Sequence, residues 1–85
     1  MKRYAVSKYL DAEVEYFVTK TENAIFDAQT VDNFSWMEEL EQKLEMLVDL
    51  QEDMSIDRSG TFTVSSWYYP LAVECRDVYR EKHNF

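Results

Sequence analysis

The sequence predicts an all-α fold, a small three-helix bundle, and three observations carry that expectation. Glycine and proline occur once each, at Gly60 and Pro70, so neither interrupts the first 59 positions. Apolar residues recur at helical spacing in three separate stretches. At 46% hydrophobic and 15% aromatic, the 85 residues hold enough apolar matter for one core, and that length suits a single domain over 1–85.

The first helix is predicted over about 5–29. Placed at steps of about 100°, Val6, Leu10, Val14, Phe17, Val18, Thr21, Ala24, Ile25 and Ala28 fall on one arc of roughly 120°. The alternative is an α+β fold with an N-terminal hairpin. Val14, Tyr16 and Val18 alternate with Glu13, Glu15 and Phe17, and Asn23 is a turn residue. The longer run of matches favours the helix over residues 13–30.

The second helix is predicted over 36–53. Ser35 and Glu38 have the Ser-x-x-Glu spacing of a capping box. Behind it Trp36, Met37, Leu40, Leu44, Leu47, Val48 and Met54 share a face, interrupted by Gln51.

Ser55, Asp57, Ser59 and Gly60 then mark a loop. A short strand is expected at 61–64, Thr61-Phe62-Thr63-Val64, with the Lys2–Val6 stretch or a second subunit as its partner. The third helix is predicted over 66–82, capped by Ser65 or Ser66, with Pro70 in its first turn, where a missing N–H costs little. Trp67, Tyr68, Leu71, Cys75, Val78 and Tyr79 would form its apolar face, with His83 and Asn84 closing it. Three amphipathic helices with short connections read as a bundle.

Charge is distributed less evenly than hydropathy. Residues 21–57 carry eleven carboxylates against one cation, Lys43, whereas the segments on either side each hold four cations and three anions. The net charge of −8 therefore sits in the middle third. Such asymmetry speaks to what a surface attracts rather than to fold. It opposes direct binding of nucleic acid or of an anionic membrane. No apolar run approaches the roughly 20 residues of a membrane span. A lone cysteine, Cys75, excludes an internal disulfide, and the basic start lacks the apolar stretch of a secretory signal. A reducing cytoplasm is the expected location.

Glu38, Glu41, Glu45, Asp49 and Glu52 recur at spacings of three and four, opposite the leucines. Neighbours in that row stand about 5–6 Å apart along a helix axis, an interval comparable with that of phosphates along a nucleic-acid strand. A solvated face is the plain alternative, since Glu is a good helix former. Against it, Glu41/Glu45 and Asp49/Asp53 are like-charge pairs four apart, each destabilising by a few tenths of a kcal/mol. The partner-binding candidates are therefore Glu38, Glu41, Glu45, Asp49, Glu52 and Asp53. Tyr16 and Phe26 join them, because both fall off the first helix's apolar stripe and exposed aromatics are common interface anchors. Tyr4, Tyr9, Tyr69 and Phe85 likewise lack an expected core position.

Catalysis and metal binding have thin support. One His and one Cys cannot assemble a triad or a zinc site, and there is no Gly-rich loop. Residues 53–60 place oxygens at positions 1, 3, 5 and 7 of a calcium loop, but Arg58 stands at position 6 and Val64 at position 12. No enzyme activity, cofactor or metal is expected. The expectation is a small acidic inhibitor whose carboxylate-rich helix occupies a basic, nucleic-acid-binding groove on a larger protein. In size and charge, though in no motif, the chain resembles the small acidic proteins with which phages block host nucleases, restriction systems or CRISPR effectors. The alternatives are a homodimeric helical adaptor and an antitoxin-like subunit, with the acidic face merely solubilising.

Overall fold

A computed structural model describes residues 2–83. The elements run β1 (Arg3–Ser7), α1 (Leu10–Thr30), α2 (Phe34–Asp53), β2 (Ser55–Ile56), β3 (Phe62–Ser65) and α3 (Tyr69–His83). The fold is mostly helical with a small antiparallel sheet in the order β1-β3-β2. The expected helical class with a short strand at 61–64 holds in part: among the described residues there are three helices, and the strand is joined by two others, one of them from the expected N-terminal stretch.

The sheet resolves the lone-strand problem. Arg3 pairs with Ser65, Tyr4 with Val64 and Ala5 with Thr63, and a register shift follows before Ser7 pairs with Phe62. Residues 3–7 therefore belong to a strand and not to the first turn of a helix. Val6 satisfies the apolar pattern of either state, and pairing with β3 supplies partners for backbone that would otherwise sit unbonded at the start of the chain. On the other edge Ser55 and Ile56, which fall in the expected loop, form a strand that pairs with Thr63 and Phe62.

Tyr16, Phe17, Val18 and Asn23 all lie within α1, so no hairpin forms at 13–20. Helical burial decides it: Leu10, Glu13, Val14, Phe17, Thr21 and Ala28 are the buried positions of α1, spaced by three, four and seven. The helix ends in a Schellman motif, with Asn33 N–H donating to the Ala28 carbonyl (2.9 Å) and Asp32 N–H to that of Gln29 (3.2 Å). Asp32 takes the left-handed conformation this requires, at φ 55°.

Asn33 also starts α2, its side-chain oxygen accepting from Trp36 N–H at 3.1 Å. Ser35 is consequently the second helical residue and not the cap, and the helix begins at Phe34 rather than Trp36. The third helix is corrected in the same sense. Ser65 is the last residue of β3, and residues 66–68 turn before Tyr69, whose neighbour Pro70 occupies the first turn. Trp67 lies in that turn, 78% exposed and outside the core. Asn84 and Phe85 lie outside the described residues.

The core joins Val6, Leu10, Val14, Phe17, Leu47, Leu50, Val64, Leu71, Ala72 and Cys75, with Val18, Met54, Phe62, Tyr68 and Val78 packed on its margin. It lies where the sheet meets the first turns of α1 and the last turns of α2. Leu10 at the start of α1 and Leu50 near the end of α2 share this core, and with a three-residue connection between the helices α1 and α2 form an antiparallel hairpin. α1 packs along both other helices, and α3 is joined to α2 at Lys43, whose Nζ lies 2.6 Å from Glu74 Oε1. Away from the sheet the hairpin is thinly covered. Only Leu47 and Leu50 of α2 are buried, and beyond Thr21 only Ala28 of α1 is. The molecule measures 46 × 31 × 15 Å.

Candidate functional site

The acidic row is built by α2. Around its axis Leu47 and Leu50 point inward, and Glu38, Glu41, Glu45, Asp49 and Glu52 occupy an arc of about 80° on the opposite side. All five are exposed. None is in an ion pair among the described residues: the cations Arg3, Lys43 and Arg76 are bridged to Asp53, Glu74 and Asp77. From Glu38 to Glu52 the row spans about 21 Å, one charge per ~5 Å. A single nucleic-acid strand carries one per ~3.4 Å. The row is thus a thinner line of charge than a strand, at about two thirds of its density.

Asp53 does not belong to this surface. It is the last residue of α2, where the helix dipole disfavours an anion, and the fold surrounds it with donors. Arg3 Nη1 donates to its Oδ1 (3.2 Å), Ser65 N–H to its Oδ2 (2.8 Å), and Arg3 Nη2 to its backbone carbonyl (2.6 Å). Arg3 Nη2 also donates to the Thr63 carbonyl at 2.8 Å. Asp53 is the clasp between the end of α2 and the two longer strands.

The two aromatic candidates part company as well. Tyr16 is half-buried, its ring edge-on to Tyr79 (5.5 Å between centroids) and to His83 (5.3 Å). His83 stacks on Tyr79 at 4.1 Å and its Nδ1 donates to the Tyr79 carbonyl. Phe26 is 68% exposed. It stands about 160° around α1 from Ala28, which packs inward, so it faces away from the hairpin seam. The acidic row faces away from that seam on the other helix. Phe26 and the carboxylates therefore lie on opposite sides of the hairpin and cannot share one flat contact. Tyr4 packs against Tyr69 at 5.2 Å, which accounts for two further aromatics without an expected core position.

Asp57, one of the oxygens of the supposed calcium loop, is occupied internally. Its Oδ1 accepts from Ser59 N–H (2.9 Å), Ser59 Oγ (2.7 Å) and Thr61 N–H (3.0 Å), fastening the turn in which Gly60 adopts φ +82°. These bonds, the Ser59 hydroxyl first, hold its carboxyl below the ordinary 3.8. Cys75 is buried in the core, and burial, with the neighbouring Glu74 charge, pushes its thiol up to about 12. It is a protonated packing residue at neutral pH.

One feature left no mark in the charge pattern. Glu13 counts as a polar position on α1, yet only 2% of it is exposed and its Oε1 has no hydrogen-bond partner among the described residues. Tyr9, Ala12, Glu13, Tyr79 and Arg80 line a concavity of about 330 Å³ between α1 and α3. Leaving a buried acceptor unpaired costs about 1–3 kcal/mol, more when it is charged. The only sequence signal was position: Glu13 falls just outside the apolar arc, one turn after Tyr9.

Compared with known proteins, the chain matches no family model, no curated protein and no solved structure.

Proposed function

We propose that this protein is an acidic binding module that inhibits a larger basic protein, presenting α2 as a negative rod to a groove built to grip phosphate. One observation carries the reading: five exposed carboxylates line a single helix face and remain without an internal cation among the described residues. A face needed only for solubility gains more from mixed signs, which relieve the repulsion between Glu41 and Glu45 and between Glu45 and Asp49. Carboxylates on the rod would take the Arg and Lys positions that otherwise hold phosphate, by charge-assisted hydrogen bonds. In this reading the three helices act as a bundle in which α1 and α3 brace α2, and the sheet clasps its end through Asp53. Phage-type mimicry of nucleic acid is the form of this proposal that size and charge favour.

The test is a pull-down from bacterial lysate, washed at low and then high salt, with the chain and its E41K/E45K/D49K variant. Nucleic-acid-binding proteins held by the natural chain and released by salt, but not held by the variant, are the expected result. Retention of the same proteins by the variant at all salt concentrations sinks the proposal.

A second reading has its own observation. Val31, Phe34 and Trp36 are exposed at the tip of the hairpin, and Met46 and Val48 along α2. Apolar exposure of this kind suits a homodimeric adaptor that hides the tip against a second copy. Sedimentation decides between them: a dimer insensitive to salt favours the adaptor, and a monomer at high micromolar concentration excludes it.

A further inference from the structure

We propose that the concavity between α1 and α3 is a binding site for an organic cation, an ammonium or guanidinium group on a short apolar stem, held by Glu13. The proposal is independent of the acidic row, which lies on another helix. Its starting point is the carboxylate itself. Glu13 is almost wholly buried and its Oε1 lacks a donor among the described residues, a condition that is rare in native interiors and asks for an explanation. The groups around it fit a cation that brings the missing donor. Tyr9 and Tyr79 line the concavity; one face of Tyr79 is taken by His83, and the exposed Tyr9 ring is the one that offers its face to a cation. Ala12 leaves room between them for a methylene stem. The volume of about 330 Å³ suits a side-chain-sized ligand.

Arg80 stands on the lining beside these groups. Its charge repels any cation, so the site favours a ligand whose positive end reaches Glu13 while an anionic end meets Arg80. The same chemistry has two sources, a lysine or arginine side chain of a protein partner or a free small amine bearing a carboxylate.

The test is NMR titration of the full chain with four probes: butylammonium, Nα-acetyl-lysine methylamide, 5-aminopentanoate and, as the anionic control, butyrate. Saturable shifts of the Ala12, Glu13, Tyr79 and Arg80 amides with the amine probes, weakened at least about tenfold in E13Q, are expected from loss of a charge-assisted bond. Tyr9 is 67% exposed, so Y9A spares the fold and should weaken the same probes. Tighter binding of 5-aminopentanoate than of butylammonium identifies a free zwitterion as the source, and preference for the capped lysine identifies a protein side chain. Absence of saturable shifts at about 50 mM of every amine, equal binding by E13Q, or binding of butyrate alone overturns the proposal. So does a lowered thermal midpoint in R80A, which would make Arg80 the donor to Glu13.

Discussion

Asp49 and Asp53 stand one turn apart on the same helix and ought to behave in opposite ways when truncated. D53A removes two contacts. The Ser65 N–H, on a buried residue, loses its acceptor at 2.8 Å, and an orphaned buried donor costs about 1–3 kcal/mol. The ion pair with Arg3 at 3.2 Å is lost too. Its side chains are 30% and 20% exposed, so water screens it and it contributes about 1 kcal/mol at most. Together D53A should destabilise by about 1–4 kcal/mol, a fall in thermal midpoint of roughly 4–30 °C for a domain of this size. Asp49 is exposed and unpaired among the described residues. D49A relieves repulsion from Glu45 and Asp53 and should fall within about 0.5 kcal/mol of the parent, on the stabilising side. Urea unfolding followed by far-UV circular dichroism measures both. Equal stability of the two variants would refute the division of the helix into a bare face and a clasped end.

Other outcomes are expected alongside it. Because the Asp57 carboxyl titrates below the ordinary 3.8 in the folded protein, its turn should hold at neutral pH and loosen only as acid carries the pH below that value. The Ser59 and Thr61 amide shifts report this, and a titration midpoint above 3.8 contradicts it. D32G should stabilise by about 0.5–1 kcal/mol, since φ 55° strains an L-residue and not glycine; a thermal melt that falls would show that the Asp32 side chain contributes something its backbone does not. Binding of the E41K/E45K/D49K variant, with net charge raised from −8 to −2 by three reversals of two units each, is tested as described above.

The helices were legible because their signal is dense. The α1 stripe repeats from Leu10 to Ala28 over about five turns and the α2 leucines from Leu40 to Leu50 over nearly three, and the structure buries the members nearest the sheet. The strands were half legible. Residues 61–64 were marked as a strand and the N-terminal stretch as one candidate partner, but Val6 fitted the helical arc equally well, and β2 has only two residues on which to show a pattern. Helix starts failed where two residues competed for one role, as Asn33 and Ser35 did. The acidic row was legible as a row. Its boundary was not, because the fate of Asp53 depends on Arg3 and Ser65, which lie fifty positions before it and twelve after. Glu13 was hidden for the same reason, since its cover comes from α3.

The flatness of the molecule has a dynamic consequence. A radius of gyration of 13.8 Å exceeds the roughly 12 Å of a round domain of this length, and the hairpin tip at about 28–38, beyond the Lys43–Glu74 bridge to α3, contributes to the excess as a two-helix arm. Such an arm should open on its own while the sheet end stays shut, so its amides would exchange with deuterium well before those of Leu10, Val14, Leu47 and Leu50. Glu38 rides on that arm, and Glu41 follows at its root. A target that clamped them would silence the early exchange, giving a readout of engagement that needs no knowledge of what the target does.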